Sequence, residues 1–300
     1  MTGGFEAPRR CTLCPRECGA DRTKTQGLCG GGASVRVARA AAHYWEEPCI
    51  SGEHGAGAVF FSGCPLGCIF CQNREISAGN FGKDITIEEL ADVFVRLEKE
   101  GVHTLDLVTP THFTPWILEA LDIAKPTIPV VWNTGGYERI ETLRSLEGKV
   151  NVYLPDLKYR SSALAERFSG AADYFERANA AIREMHRQTG AYEFNGEGIL
   201  TRGVLVRHLV LPGHAEDSIA VFEALSDLVP PDEILVGLMS QYTPPHDTKP
   251  DFPTELTRRL CADEYDLVAE AVHALGFEGY EQELSSAKEE YTPPFDLEGV

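Results

Sequence analysis

Eight of the nine cysteines in this 300-residue chain lie at or before Cys71, and seven of those eight fall into two tight groups. The first group is Cys11, Cys14, Cys18 and Cys29, in CTLCPRECGADRTKTQGLCGGG; the second is Cys64, Cys68 and Cys71, in FSGCPLGCIFCQN. Cys49 sits between them in EEPCISG and Cys261 stands alone; both read as small buried apolar residues. Met1 to Arg10 has no apolar segment behind its charges, so it does not read as a secretory signal. No apolar run approaches the roughly 20 residues of a membrane helix. The expected location is the cytoplasm, where clustered cysteines serve as metal ligands more often than as disulfides.

The second group carries the sharper chemistry. Its thiols are spaced three residues and then two, on a loop bearing Gly and Pro, directly after the apolar run Ala58 to Phe61, which reads as a strand. Soft thiolates favour iron–sulfur clusters, zinc or copper(I). A structural zinc takes four protein ligands, so three thiols leave it short unless a distant Cys or His completes the set. Offered to a cubane of four irons, three thiols leave one iron without a protein ligand. That iron is open to a substrate or cofactor, an arrangement for catalysis rather than for electron storage alone. The first group has four thiols and makes a closed site; zinc and a second [4Fe-4S] cluster both fit its spacing.

At Cys64, Cys68 and Cys71, with Phe70 just before the last cysteine, the chain resembles the radical S-adenosylmethionine (SAM) superfamily. The strings EEPCISG, FFSGCPLGCIFCQNREIS, VTPTHF and MSQYTPP resemble the branch related to pyruvate formate-lyase activating enzymes, in a subgroup with an extra N-terminal cysteine set. The likeness runs from about Cys11 to about Gly279. It implies a [4Fe-4S] cluster on Cys64, Cys68 and Cys71 whose open iron is chelated by the amino and carboxylate groups of SAM. It further implies reductive cleavage to methionine and a 5′-deoxyadenosyl radical, which takes hydrogen from a glycyl residue of a partner protein or from another substrate. A low-potential donor such as flavodoxin or ferredoxin would supply the electron. Non-catalytic alternatives are an iron–sulfur electron carrier or cluster scaffold, and a zinc-stabilised binding module.

The same resemblance assigns SAM-holding residues. Asn133 and Thr134, in VWNTGGYE, take the place of an acidic–Thr pair; Asp156 and Lys158, in LPDLKY, match an Asp-x-Lys element; Arg207, in VRHLVLPG, matches a strand arginine. Lys158 and Arg207 would donate charge-assisted hydrogen bonds to the SAM carboxylate, and Phe70 would lie beside the adenine. Where the related enzymes carry Gly-Gly-Glu for the SAM amino group, this chain has Thr109-Pro110-Thr111-His112, leaving the hydroxyls of Thr109 and Thr111 with less charge for that task. Ser240, Gln241 and Tyr242 stand where those enzymes carry a strand-six histidine. His112 reads either as a loop histidine bonded to backbone or as a residue facing the site.

The remaining sequence alternates short apolar runs with helical periodicity. Strands are expected at 58–61, 105–108, 129–132, 151–154, 204–211 and 234–238, and helices at 86–100, 115–124, 137–146, 171–189, 215–228 and 255–275. Thr86 with Glu89 three residues on is a helix-capping pattern. Six strand–helix units imply a parallel sheet and are too few for a closed eight-stranded barrel. The resemblance specifies an α/β fold, a partial (β/α)6 TIM-like barrel. Residues 1–50 would form a cysteine-rich extension, 51–280 the barrel and 281–300 a tail, with Met1–Arg10 and Tyr291–Val300 frayed. An apolar fraction of 43% suits a globular chain. A net charge of −19 disfavours nucleic acid as a partner and suits a neutral or basic one.

Overall fold

The computed structural model describes residues 5–245, 250–286 and 292–300. In chain order the elements are β1 (Val35–His43), α1 (Pro48–Ser51), β2 (Ala56–Phe61), α2 (Arg74–Ser77), β3 (Lys83–Ile85), α3 (Ile87–Lys99) and β4 (Thr104–Val108). Then come α4 (Thr114–Ala124), β5 (Val130–Thr134), α5 (Ile140–Ser145), β6 (Val152–Pro155), α6 (Ser162–Ser169) and α7 (Tyr174–Thr189). The last third holds β7 (Glu193–Phe194), β8 (Leu200–Leu209), α8 (Ala215–Leu228), β9 (Leu235–Met239), α9 (Ala262–Ala274) and β10 (Glu278–Glu281). The strand order is β10-β9-β8-β6-β5-β4-β2-β1-β3, with β7 paired to β8. Along that order from β2 to β10 every neighbouring pair is parallel; β7 runs antiparallel to β8, β1 antiparallel to β2, and β3 antiparallel to β1. The sheet does not close, so this is an α/β partial barrel.

Alternation along the strands separates two faces. Val59, Phe61, Leu105, Leu107, Trp132, Tyr153 and Val206 pack outward with the helices. Ala56, Val131, Val152, Leu154, Leu205 and Leu235 turn inward and close around Cys49 and Ile50 of α1, which plugs the bottom of the barrel. Cys49 is thus the buried apolar residue expected. Cys261 is not: it is exposed at the start of α9, where its thiol donates to Glu264 at 3.1 Å. The cap of α3 forms as its sequence requires. Glu89 N–H donates to the Thr86 hydroxyl at 3.1 Å, and Thr86 N–H to the Glu89 carboxylate at 2.8 Å, stabilising the helix by about 1 kcal/mol.

All six expected strands are present, and several boundaries differ for local reasons. Gly170, left-handed at φ 59°, separates α6 from α7, and the sequence reading had missed α6. The helix expected from residue 255 begins at Ala262 after a single 3-10 turn. β10 was missed because Glu-Gly-Tyr-Glu carries no apolar run. Neither end is frayed where it is described; residues 1–4 and Tyr291 lie outside the described residues. Phe5 packs on Trp116 at 4.8 Å, and Arg22 N–H donates to the Pro8 carbonyl at 2.8 Å. At the other end Phe295 is buried against Phe60 at 5.6 Å. Leu297 N–H donates to Ala38 at 3.1 Å, Ala40 N–H donates to Glu298 at 2.9 Å, and Arg39 pairs with Asp296 and Glu298. The tail therefore covers the stretch of β1 edge that β3 leaves open, which a sheet edge requires. Among the described residues no helix is long and apolar enough to cross a membrane.

Candidate active site

The strand β2 ends at Phe61 and delivers the chain into the three-cysteine loop. Gly63 makes the turn with φ 86°, and a Cβ there would stand 2.2 Å from the carbonyl oxygen of Cys29. Cys64 N–H donates to that same carbonyl at 3.0 Å, and Ile69 N–H donates to Phe168 at 2.9 Å. The sulfurs are also engaged. Leu66 N–H reaches Cys64 Sγ at 3.4 Å, Ser77 Oγ–H reaches Cys71 Sγ at 3.3 Å, and Cys68 Sγ lies 3.0 Å from Ser169 Oγ. Burial pushes the Cys64 thiol well above its ordinary value and Cys71 upward too, with the other two thiols of the trio adding to Cys64 and Cys68 adding to Cys71. Thiols in that setting ionise when a cationic centre takes them as ligands. Among the described residues no three His, Cys, Asp or Glu side chains are drawn together as the ligands of a metal ion. Three soft donors on one short loop, flanked by N–H and O–H groups aimed at sulfur, are a donor set that fits an iron–sulfur cluster.

Beside the thiols, at the C-terminal ends of the strands, opens a cavity of about 470 Å³. Cys68, Phe70, Cys71, Asn133, Asp156, Lys158 and Arg207 all line it. Strand ends of this kind are where open α/β sheets bind ligands. Phe70 is buried, with Tyr159, Phe168 and Tyr242 edge-on at 6.4 Å each. Lys158 Nζ donates to Asp156 at 2.5 Å, and Arg207 Nε donates to the other Asp156 oxygen at 3.3 Å. Arg207 also donates to Asn133 Oδ1, and Asn133 Nδ2 donates to Asp106 at 3.3 Å. Burial alone would raise the Asp156 carboxyl, but Lys158 and Arg207 outweigh it and hold it low. Burial likewise opposes the charges of Lys158 and Arg207, and their carboxylates outweigh it. Both cations stay charged at the cavity wall.

Three acids there escaped the sequence reading. Glu46 accepts from Arg207 Nη1 at 2.9 Å. Glu47 lines the cavity with one oxygen unpartnered, and burial pushes its carboxyl up to about 7. Asp106 is fully buried on β4 with Oδ1 unpartnered; burial, then Glu46, drives its carboxyl well up. The signal existed in each case. An Asp inside the apolar strand TLDLV, and two Glu directly before a buried helical turn, are charges where burial is costly without a purpose.

Thr109, Thr111 and Thr134 do not line this cavity. Thr109, left-handed at φ 59°, donates its N–H to the Asn133 carbonyl at 2.8 Å. Thr111 and Thr134 both donate to the buried carboxyl of Glu138, which burial pushes up to about 7 against those two hydrogen bonds. His112 is buried away from the cavity, with Nε2 2.8 Å from the Ser62 carbonyl and its own carbonyl accepting from Arg22. It is the loop histidine bonded to backbone. Of the residues after β9, Gln241 lines the cavity and exchanges hydrogen bonds with Gln72, at 3.1 and 3.0 Å. On the far side of the thiols, Cys64, Cys68 and Cys71 also line a second hollow of about 420 Å³ with Arg74 and Arg167.

The N-terminal thiols converge. Gly27 faces both Cys29 Sγ and Cys18 Sγ, at 3.4 and 3.5 Å from where its Cβ would stand. Burial, with Cys29 and Cys11 adding, raises Cys14 to about 12, and burial raises Cys29 with contributions from Cys11 and Cys18. Cys11, Cys18 and Cys29 thus act on other thiols of the set, although no three of the four are drawn together as the ligands of one metal ion.

The sequence profile described as the Radical SAM superfamily matches residues 58–225, from β2 into α8. An uncharacterized protein of Methanocaldococcus jannaschii is 29% identical over 272 residues, spanning 87% of this chain and 74% of the relative. Among solved structures, a radical SAM methyltransferase from Sphaerobacter thermophilus is similar at a TM-score of 0.51 and 17% identity, over 77% of this chain and 68% of that one. SuiB of Streptococcus suis, bound to S-adenosylmethionine, is matched at a TM-score of 0.43 and 14% identity, over 75% of this chain and 46% of that chain. The chain thus spans about half the length of SuiB. With the matched segment covering more than half of the chain, and with the cysteine loop and its cavity inside it, this protein belongs to the Radical SAM superfamily.

Proposed function

We propose that this radical SAM enzyme is an oxidoreductase of the pyruvate formate-lyase activating type, taking hydrogen from a protein glycyl residue or from another substrate. The observation that carries the reading is the meeting of Cys68 and Cys71 with Lys158 and Arg207 around one cavity. When bound, a [4Fe-4S] cluster and SAM supply reductive carbon–sulfur cleavage and a 5′-deoxyadenosyl radical. Cys64, Cys68 and Cys71 would hold the cluster. Lys158 and Arg207, kept charged by Asp156 and Glu46, would receive the SAM carboxylate. Phe70, wedged by three aromatic rings, would flank the adenine. Asn133 is fixed on both sides, by Arg207 and by Asp106, and would orient the nucleoside. Thr109, Thr111 and Thr134 act one step back, Thr109 bonded to the Asn133 carbonyl and the other two to Glu138.

A low-potential donor, flavodoxin or ferredoxin in type, would approach the thiols through the second hollow beside Arg74 and Arg167. The N-terminal four-thiol site would hold zinc or a second iron–sulfur cluster. Elemental analysis of a Cys14→Ala variant distinguishes these, since one loses zinc and the other iron. The function itself is tested by incubating anaerobically reconstituted protein with dithionite and SAM. Formation of 5′-deoxyadenosine is expected, with deuterium entering it from the true substrate. A reduced, intact cluster that forms none would instead favour a non-catalytic iron–sulfur carrier or scaffold.

A further inference from the structure

The N-terminal cysteine module touches the catalytic cysteine loop at two places, through the Cys29 backbone and the half-buried Arg16, and reaches it at a third through His112, by way of the buried Arg22. Cys29 sits in a turn closed by Gly27 N–H to Gly31 C=O and Gly30 N–H to Gly27 C=O, both 2.9 Å, and its carbonyl accepts from Cys64 N–H at 3.0 Å. From Cys29 Sγ to Cys64 Sγ there is only one side chain, one carbonyl, one hydrogen bond and a second side chain. Arg16, between Cys14 and Cys18, donates to Pro65 at 2.9 Å and to Ser169 at 3.1 Å; the Ser169 hydroxyl lies 3.0 Å from Cys68 Sγ. Arg22 donates to the carbonyls of Gly32, at 3.0 Å, and of His112, whose ring is 2.8 Å from the carbonyl of Ser62.

Arg22 is a buried bridge, 1% exposed. It is packed between the faces of Trp116 and Phe113, at 4.5 and 5.1 Å, with Nη2 unpartnered. Its two carbonyl partners join Gly32 of the N-terminal module to His112, whose ring reaches the Ser62 carbonyl just before the catalytic loop.

We infer that the N-terminal module is a clamp: filling its four-thiol site fixes the Cys29 carbonyl and Arg22, and these position the Cys64–Cys71 loop and the cluster it carries. This rests on the radical SAM reading of that loop. Cys29, Arg22 and Arg16 are positioning residues, acting through Cys64, Ser62 and Ser169.

The test uses the full chain, reconstituted anaerobically with iron and sulfide, as wild type, Cys18→Ser and Arg22→Gln. Cys18 touches no part of the catalytic loop in the contacts described above, and Arg22→Gln leaves every thiol in place. Four quantities are read: metal per chain, the reduced-state paramagnetic resonance spectrum and the midpoint potential, each with and without SAM, and hydrogen exchange of the peptide containing Cys64. Both variants should show a catalytic cluster with altered spectrum and potential. They should retain its iron about 10- to 100-fold more weakly against a chelator, with faster exchange at Cys64. If Cys18→Ser fails to fold, Arg22→Gln alone decides. Should the variants lose N-terminal metal while the catalytic cluster's spectrum, potential and Cys64 exchange match wild type, the clamp is wrong. Wild type lacking a SAM-responsive cluster would defeat the function itself; a normal wild type with indifferent variants defeats only the clamp.

Discussion

Arg207 on β8 donates to Glu46, 161 positions earlier, at 2.9 Å, tying the segment that enters the barrel plug to the wall of the cavity. The same guanidinium holds Asp156 and Asn133, so one cation organises three groups. Glu46→Ala removes one partner and leaves two, and should cost about 1–3 kcal/mol. Arg207→Ala leaves Glu46 without its cation and Asp156 with Lys158 alone, and should cost about 3–5 kcal/mol. The double variant should be less destabilised than the sum of the two. Urea unfolding of all three checks this, and strict additivity would mean the pair does not interact.

Substitution of Lys158 tests the proposed SAM binding apart from cluster assembly. Its ammonium lines the cavity and touches no sulfur through a hydrogen bond; its partner is Asp156. Lys158→Ala should leave iron content unchanged and weaken SAM binding by roughly 10- to 100-fold, as expected for one charge-assisted hydrogen bond. Isothermal titration on the reconstituted variant reads it. Loss of iron with unchanged SAM affinity would move Lys158 out of the ligand site.

Gly63 cannot carry a side chain. At φ 86°, and with the Cys29 oxygen 2.2 Å from a notional Cβ, Gly63→Ala suffers both left-handed strain of about 1–2 kcal/mol and a backbone clash. The variant should fold with its barrel intact and bind substantially less iron per chain. Far-ultraviolet circular dichroism beside iron analysis distinguishes this from global unfolding.

Glu138 sets a pH dependence. Burial lifts its carboxyl from 4.5 to about 7, against its hydrogen bonds from Thr111 and Thr134. Folding therefore favours the protonated form, and this group's contribution to stability is full below about pH 4.5. It falls as pH rises toward 7, by an amount on the order of 3 kcal/mol, and is flat above. Glu138→Gln should remove that slope between pH 5 and 7. Denaturation midpoints at half-unit pH steps measure it; an unchanged slope in the variant assigns the titration to another group.

Much of this was legible in the sequence because periodicity and spacing are local. The α3 cap at Thr86 and Glu89, the six inner strands and the cysteine loop all follow from residues near one another in the chain. What was not legible depends on long-range pairing. β10 has no apolar run and is a strand only because β9 offers an edge. Residues 292–300 look like a loose end until β1 supplies carbonyls at Ala38 and an N–H at Ala40. Thr111, just past β4, and Thr134, the last residue of β5, sit at strand ends, as ligand-binding residues do, yet they turn to Glu138, a residue that reads as an ordinary surface acid in NTGGYE. Arg16 and Arg22 read as two charges in a polar cysteine-rich stretch, and only the fold shows Arg16 reaching Pro65 of the catalytic loop and Arg22 reaching His112.

The central claim is that Cys64, Cys68 and Cys71 hold a cluster with one iron free to bind SAM. The direct measurement is the paramagnetic resonance spectrum of the dithionite-reduced Cys14→Ala variant, recorded before and after adding SAM. That variant removes a thiol of the N-terminal site and leaves the catalytic trio intact. The expected result is a [4Fe-4S]+ signal whose g values move on adding SAM, and which disappears in a further Cys68→Ala substitution. A signal indifferent to SAM, or one that survives loss of Cys68, would contradict the account.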